Sequence, residues 1–566
     1  MVLSSICKWY KGQIVKIPFL KSIENNDNVE KIKEFIDAGA DVNASDKYRK
    51  TALMIAIEAY HDYSTCMADT TNQQSKEFDE SLRSVYTNYT NNAILIISEL
   101  LKAGADVNKK DKEGKTALMY AVEFDKNNSI VKELINADAD ICKQDNDGLT
   151  ALMYAVAREN STVIKALLDA GADINATTYY NGDTALTIAL KCTNNADIVK
   201  LLIDAGADVN ISFDNLNMYN EFSCSEEQLN KQQKELTALI YAVGWDKDIN
   251  IVRHLINSGA DINKQDKGGS TALIRAVRWK KDPNIEIIKL LIDADADVNK
   301  CDKEGRTALM YAIINNSPES VRLLMNAGVD INVEDEQGKT ALMYAVQRKD
   351  SNIVRELINA GANVNKQSQI GATALMCTNF DENAEILIEA GADINYVDDN
   401  GDTVLMAACR AENAEIVKVL LQSGVDVNAI DNDGKTALIW AGRCNKNIEV
   451  IKLLIEAGAD VNATDNDGKT ALMYAVNWDI SLKVIKLLID SGANVKIIDN
   501  NGNTLLMQAI ICLSNTDNAD NMDIVKLLID AGIDVSACNN LQETALDLAI
   551  KFNNQEIIDI LKNNQS

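Results

Sequence analysis

The chain has 566 residues, of which 46% are apolar and 25% are charged, and this composition is typical of a folded protein rather than a disordered one. Its formal net charge of −28 argues against a nucleic-acid-binding or other phosphate-binding protein, which would need clustered lysine and arginine. The 11 cysteines form no Cys-x-x-Cys pair and only two histidines occur, so we expect no zinc site and no cofactor. We find no apolar run near 18 residues, so we expect no membrane insertion.

The N-terminal stretch lacks a continuous apolar core followed by a small-residue cleavage site, so it does not resemble a signal peptide. We therefore expect a cytoplasmic protein, with leaderless export into another cell as the alternative. Residues 17–43 read as two helices without a preceding turn, which indicates a segment that caps one end of a repeat array. We assign residues 1–43 to this N-terminal segment and capping repeat.

From residue 51 onward the chain repeats itself, mostly with a spacing of 33 or 34 residues. Each copy contains the anchor Thr-Ala-Leu or a near variant, and a second anchor, Ala-Gly-Ala-Asp-Val-Asn, follows it with small variations. The first anchors begin at Thr51, Thr116, Thr150, Thr184, Thr237, Thr271, Thr307, Thr340, Thr373, Thr403, Thr436, Thr470, Thr504 and Thr544. A fixed period of this length is the signature of a stacked array in which neighbouring copies bury each other's apolar faces.

Each copy reads as a turn, a short helix, a longer helix and a second turn. The anchor threonine is a good N-cap for the apolar run that follows it, and the glycine of the second anchor suits a helix end in the left-handed conformation. In two copies Asp138 and Asp295 take the place of that glycine, which predicts locally weaker units. We expect the recurring aspartates of both turns to bond the backbone, which explains part of the acidity.

Two insertions interrupt the array. The first, near residues 61–92, contains a stretch whose Phe78, Leu82, Val85 and Tyr86 share one helical face after Ser75 as a possible N-cap. It is either an extra helix that serves a partner or a surface segment packed on the array. The second, near residues 211–236, lengthens a turn between two copies.

A unit of 33 residues with Asp-x-x-Gly-x-Thr-x-Leu-x-x-Ala and Gly-Ala-Asp-Val-Asn resembles the ankyrin repeat family. The resemblance covers about residues 13–562 and implies an all-α helical solenoid of about fifteen units with short turn or β-hairpin fingers. The family's Thr-Pro-Leu-His is Thr-Ala-Leu-Met in most copies here, which removes its hydrogen-bonding histidine. We assign the array to residues 44–536 and a C-terminal capping repeat to residues 537–566.

The resemblance also predicts a binding groove. With the anchor threonine as position 0, a helical wheel places positions +2, +5 and +6 on one side and +4, +7 and +8 on the other, which lines the groove in the resembled fold. We predict that aromatic residues there are exposed and bind a partner. At position +4 they are Tyr120, Tyr154, Tyr241, Tyr311, Tyr344, Trp440 and Tyr474, and at position +8 they are Phe124, Trp245, Trp279 and Trp478. The alternative for the tyrosines is that they pack within the array itself.

The second insertion adds Phe213, Tyr219 and Phe222, which a lengthened finger would hold beside the groove. Binding of a partner and packing against the array are equally consistent with these three residues. No nucleotide-binding glycine motif and no catalytic motif occurs, so we do not expect an enzyme.

We therefore predict a monomeric scaffold that binds a protein partner in the groove of the solenoid, and the net charge of −28 favours a basic partner. The alternatives are an inhibitor or regulator of an enzyme that acts through the finger insertion near residues 211–236, and a mechanical spacer.

Overall fold

The computed structural model describes residues 18–69, 76–124, 128–215, 233–278, 283–444, 447–477, 482–513 and 521–564. The chain forms two compact units, of which the first comprises Met1–Trp279 with Glu286–Ala296 and the second comprises Lys280–Ile285 with Asp297–Ser566. Each unit is an all-α repeat solenoid in which a short helix and a longer one alternate, as predicted.

The first unit begins with a helix over residues 18–24, here called α1. The other helices are α2 (Val29–Asp37), α3 (Ala52–Asp69), α4 (Lys76–Lys102), α5 (Ala117–Phe124), α6 (Ser129–Asn136), α7 (Ala151–Ala157), α8 (Ser161–Asp169), α9 (Ala185–Cys192), α10 (Ala196–Asp204), α11 (Ala238–Gly244), α12 (Ile249–Asn257), α13 (Ala272–Arg278) and α14 (Ile285–Asp293). The strands β1 (Phe213–Asn215) and β2 (Gln233–Leu236) pair antiparallel, with Phe213 opposite Leu236.

The second unit shows the same alternation except in the Thr373 repeat. Its helices are α15 (Ala308–Ile314), α16 (Pro318–Asn326), α17 (Ala341–Ala345), α18 (Ser351–Asn359), α19 (Asp381–Glu389), α20 (Val404–Arg410), α21 (Ala414–Gln422), α22 (Ala437–Cys444), α23 (Ile448–Glu456), α24 (Ala471–Asn477), α25 (Leu482–Asp490), α26 (Leu505–Leu513), α27 (Asn521–Asp530), α28 (Ala545–Lys551) and α29 (Gln555–Asn563).

The start of each short helix follows the anchor chemistry. In the Thr150 repeat the Thr150 hydroxyl accepts a hydrogen bond from the Met153 amide at 3.3 Å, and Leu152 and Met153 are buried. The methionine that replaces the family's histidine also contributes directly in some repeats. The sulfur of Met54, for example, accepts the Thr51 amide at 3.4 Å, a weak bond that the sequence did not suggest.

Consecutive turns are joined by backbone hydrogen bonds, and we call each turn before an anchor threonine a finger. Many fingers are closed by an antiparallel bridge, such as the one between Gln144 and Thr150. The amide of one finger then donates to a carbonyl of the preceding finger, as Asn146 does to Glu113 at 2.9 Å and Asn466 does to Asp433 at 2.9 Å. Within each unit these bonds hold neighbouring fingers in a fixed register.

The first insertion lengthens two helices. It extends the end of α3 and the beginning of α4, so that α4 spans 27 residues from Lys76 to Lys102. The extra helix expected after Ser75 is therefore continuous with the longer helix of its repeat. Ser75 itself lies outside the described residues, as do the side chains of Phe78, Leu82, Val85 and Tyr86.

The Thr373 repeat departs from the predicted pattern. Residues 374–377 form a turn where the other repeats have their short helix, and Thr373 precedes Thr403 by only 30 residues. The buried side-chain amide of Asn383 connects this repeat to the preceding one. Its nitrogen donates to the carbonyls of Val346 at 3.0 Å and Arg348 at 2.8 Å. A polar contact thus replaces part of the packing that the missing helical turn provides elsewhere.

The left-handed helix ends at Asp138 and Asp295 are present as predicted, with φ values of 58° and 62°. The anchor aspartates also act as expected. The carboxylate of Asp106, for example, accepts the amide of Asn108 at 2.9 Å. The side chain of Asn108 then bonds the next repeat by accepting the amide of Asp140 at 2.7 Å. Part of the acidity of the chain therefore belongs to its turns.

Candidate protein-binding face

The prediction that position +4 is exposed is wrong for five of the tyrosines. They are at most 8% exposed, and they are Tyr120, Tyr154, Tyr241, Tyr311 and Tyr474. Tyr120, Tyr154, Tyr311 and Tyr474 each donate their hydroxyl to an aspartate of the finger, a contact that a wheel drawn for an isolated helix does not include. Packing within the array, the alternative interpretation, accounts for their burial, and contact with a partner stays a prediction.

Position +4 has a recurring polar partner, the aspartate five residues before the anchor threonine, which we call the turn aspartate. One carboxylate oxygen of Asp145 accepts the amides of Asp147 at 2.9 Å and Leu149 at 2.8 Å. The other accepts the hydroxyl of Tyr154 at 2.8 Å. The side chain at +4 thereby ties the short helix to its own finger.

The same pairing occurs in eight repeats of the described parts of the chain, with four different residue types as donors. The pairs are Asp111–Tyr120, Asp145–Tyr154, Asp266–Arg275, Asp302–Tyr311, Asp335–Tyr344, Asp431–Trp440, Asp465–Tyr474 and Asp499–Gln508. Tyrosine, tryptophan, arginine and glutamine share a long side chain with a donor near its tip. The donor, rather than the ring, is therefore the property that position +4 conserves across these repeats.

Burial changes the acid–base properties of these pairs. Loss of hydration raises the pKa of the Asp145 carboxyl, although the amide and tyrosine donors oppose this rise. Burial also raises the pKa of the Tyr120 hydroxyl, and the hydrogen bond to Asp111 raises it further. Tyr120 therefore stays a neutral donor at ordinary pH.

Two aromatic residues at position +4 keep part of their surface in contact with solvent. Tyr344 and Trp440 are half-buried. Three cationic groups surround the Trp440 ring, with Arg410 at 5.1 Å, Arg443 at 5.2 Å and Lys435 at 5.4 Å from its centre. Two of these groups are neutralised by carboxylates, because Arg410 pairs with Asp402 at 2.6 Å and Lys435 pairs with Asp433.

Of the aromatic residues at position +8, the structure describes Phe124 and Trp245. Both are half-buried. Trp245 stacks on Tyr241 with ring centres 4.3 Å apart, and Phe124 stacks on His61 at the same separation. Trp279 and Trp478 lie outside the described residues, so their contact with a partner stays a prediction.

The finger insertion gives a similar result. Phe213 is 2% exposed and packs against Tyr241 with ring centres 5.7 Å apart, which agrees with the interpretation that it packs against the array. It lies at the base of the β1–β2 hairpin, where the chain is still part of the array. Tyr219 and Phe222 lie outside the described residues.

The exposed apolar surface is instead concentrated on the fingers, which the sequence reasoning did not single out. Of the twelve exposed large apolar side chains among the described residues, eight lie on fingers. They are Tyr48, Tyr179, Tyr180, Ile370, Val397, Ile430, Ile498 and Leu541. A usable signal was present, because apolar residues in turns otherwise rich in Asp, Asn and Gly have no packing role to explain them.

Other kinds of site find no support in the part of the chain that the structure describes. No group of three or more histidine, cysteine, aspartate or glutamate side chains there is placed to hold a metal ion. None of the helices searched is both long and apolar enough to span a bilayer.

Comparison with known families agrees with the helix pairs and fingers described above. A model of three ankyrin repeat copies matches residues 86–178, 126–213, 211–300, 280–368, 372–465 and 445–520, and a model of many ankyrin repeat copies matches residues 518–562. A search of curated proteins finds no match to the chain. These segments cover most of the sequence, and the chain belongs to the ankyrin repeat family.

Proposed function

We propose that this protein is a scaffold that binds a protein partner on its finger face, meaning the fingers together with the adjoining groove along the short helices. Ankyrin repeats are generic protein–protein interaction modules. The observation that carries the proposal is the concentration of exposed apolar side chains on the fingers. Tyr179 and Tyr180 are 61% and 58% exposed, Ile370 is 61% exposed and Leu541 is 77% exposed. Apolar and aromatic groups held in water favour binding when a partner covers them.

The register of the fingers supports the proposal. The amide of Tyr179 donates to the carbonyl of Asp147 at 3.0 Å, and the amide of Asp399 donates to the carbonyl of Ile370 at 3.2 Å. Side chains on such fingers start from a nearly fixed backbone. Ordering this surface on binding therefore costs less free energy than ordering flexible loops would.

The groove beside the fingers supplies a second layer of contacts in this proposal. Its half-buried members are Phe124, Trp245, Tyr344 and Trp440, each of which keeps part of its surface in contact with solvent. Trp279, Trp478, Tyr219 and Phe222 remain further candidates for partner contact.

Crosslinking of the full chain in its native extract, followed by mass spectrometry, tests the proposal. We expect crosslinked partner peptides to map to fingers, and we expect Tyr180→Ser, Ile370→Ser and Leu541→Ser each to weaken capture of the same partner. The matched control is Leu95→Ser on α4, since Leu95 is 52% exposed but lies on no finger. Loss of the partner with Leu95→Ser, and not with the finger variants, would place binding on the lengthened helices instead.

A further inference from the structure

A cavity of about 410 Å³ lies beside the Thr51 repeat, between α1, α3, the finger before Thr51 and the end of α5. This volume is within the range of ligand-binding pockets, about 300–1,000 Å³. Its polar and aromatic lining consists mainly of Glu24, Asp46, Tyr48, Glu58, His61 and Phe124. All of these residues belong to the first unit.

One residue at position +4, Ile55, explains the cavity. Ile55 lines it at the place where other repeats hold a long side chain that reaches the turn aspartate. Asp46 is the turn aspartate of this repeat, and one of its oxygens accepts the amides of Tyr48 and Lys50, each at 2.8 Å. No hydrogen bond from the described residues reaches its other oxygen, because isoleucine has no donor. The Thr51 repeat thus keeps the carboxylate acceptor of its turn aspartate but lacks the usual donor at position +4.

The charge of the lining favours a cation. Lys50 is the one lysine of the lining, and it forms an ion pair with Glu58 while its nitrogen lies 5.4 Å from the centre of the Tyr120 ring. With Glu58 compensated in this way, the carboxylates of Asp46 and Glu24 give the lining a net negative charge, which the ammonium groups of Lys47 and Lys112 beside the Tyr48 ring partly offset.

The aromatic groups of the lining suit a planar cation. The Tyr48 ring is 51% exposed and already has the nitrogens of Lys47 and Lys112 at 4.8 Å and 5.6 Å from its centre. His61 and Phe124 stack on each other. Guanidinium groups stack on such rings while they donate to carboxylates, whereas an ammonium group acts as a point charge.

The chain itself contains a model for the missing interaction. In the Thr271 repeat position +4 is Arg275, whose Nε donates to the turn aspartate Asp266 at 2.8 Å while Nη2 bonds the same oxygen. Both side chains are buried. A guanidinium group therefore fits opposite a turn aspartate in this architecture.

From this geometry we infer that the cavity is an arginine-binding subsite, in which the guanidinium group of a partner's arginine side chain donates to Asp46 and stacks on the neighbouring rings. The inference rests on the proposed function, because it names the chemistry of one part of the partner. The partner's arginine takes the place that Arg275 occupies in its own repeat.

Saturation-transfer NMR on the full chain, with N-acetyl-arginine methylamide as the probe, tests the subsite. We expect signal on the arginine side-chain methylenes, and titration of that signal should give about tenfold weaker affinity for the isosteric, neutral citrulline compound, which corresponds to one charged hydrogen bond. Equal affinities for the two compounds would overturn the inference.

Two variants locate the signal. Asp46→Asn keeps the oxygen that accepts the two turn amides but removes the carboxylate charge, and Ile55→Tyr fills the cavity with the side chain used in other repeats. We expect both to lose the arginine signal. The control is Asp398→Asn, a turn aspartate whose +4 residue, Ala407, also lacks a donor but which does not line this cavity. Persistence of the signal in Ile55→Tyr, or its loss in Asp398→Asn, would overturn the assignment.

Residues 1–17 of the chain carry Lys8, Lys11 and Lys16, which are another source of cations. If arginine binds only after these three are changed to glutamine, the chain's own N-terminus is the occupant and the inference fails. The crosslinking experiment tests the proposed function independently of the subsite. Arginine binding without any partner crosslinked to the fingers would support the subsite and reject the proposed function. A partner crosslinked to the fingers without arginine binding would support the proposed function and reject the subsite.

Discussion

The Thr150 and Thr51 repeats begin with the same turn but fill the adjoining space differently. In the Thr150 repeat, Tyr154 reaches the turn aspartate Asp145 and leaves no access to it. In the Thr51 repeat, Ile55 is too short and too apolar to reach Asp46, and a cavity remains. A single position thus decides whether a repeat closes on itself or keeps an acceptor available to another molecule.

Removal of the turn aspartate from the closed repeat is the most severe way to test this comparison. Asp145→Ala leaves two turn amides and a buried tyrosine hydroxyl without their acceptor, so we expect a local loss of about 3 kcal/mol. Hydrogen exchange of the α7 amides measures it. Asp46→Ala removes acceptors only from the two turn amides of the open repeat, and we expect a clearly smaller loss in α3. Equal losses would mean that the Tyr154 bond contributes nothing.

A milder change removes only the donor. Tyr154→Phe keeps the ring but leaves one oxygen of Asp145 buried without a partner, and we expect a local loss of about 1.5 kcal/mol. The control is Tyr179→Phe, because the Tyr179 hydroxyl bonds Gln144 at 3.2 Å in an exposed position. That change should be close to neutral in the same exchange measurement. A neutral Tyr154→Phe would show that ring packing alone stabilises the closed repeat.

Closing the open repeat should stabilise it. Ile55→Tyr places a hydroxyl within reach of Asp46 and fills the cavity, so we expect a gain of about 1 kcal/mol, measured by slower exchange of the α3 amides. Ile55→Phe is the matched control, since it adds the ring without the donor. Equal gains from the two variants would attribute the effect to filled volume, and destabilisation by both would mean that the cavity does not admit a ring.

The smallest expected effect is a pH dependence, because Tyr344 is only half-buried. Burial, aided by the hydrogen bond to Asp335, raises the pKa of Tyr344 to about 12, above its ordinary value of 10.0. The folded state therefore holds this proton more tightly than the unfolded chain does. Its contribution to stability is complete below pH 10 and is lost as the pH rises toward 12.

Denaturation midpoints measured across that alkaline range should fall less steeply for Tyr344→Phe than for the wild type, because phenylalanine has no proton to lose. Parallel curves for the two proteins would contradict the pKa shift. Tyr120 and Tyr474 also have raised pKa values because of burial. The variant should therefore retain part of the alkaline sensitivity.

The repeat length, the order of helices and the role of the anchor threonine followed from the sequence, because these are local properties of each copy. The burial of Tyr120 or Tyr154 did not, because it depends on a finger that folds over the short helix. The sequence nevertheless contains a pattern that predicts this contact, since an aspartate at position −5 and a long side chain with a donor at position +4 occur together in many repeats. Ile55 is an exception to that pairing, because its repeat has the aspartate but no donor at position +4.

The shortened Thr373 repeat has a consequence for how the second unit melts. In a repeat array each copy is stabilised mainly by its neighbours, so a copy with fewer internal contacts separates the stretches on either side of it. Asn383 holds this copy to the one before through two bonds to backbone carbonyls. Heating should therefore divide the second unit into two cooperative blocks at this point, and a protease should make its first internal cut there.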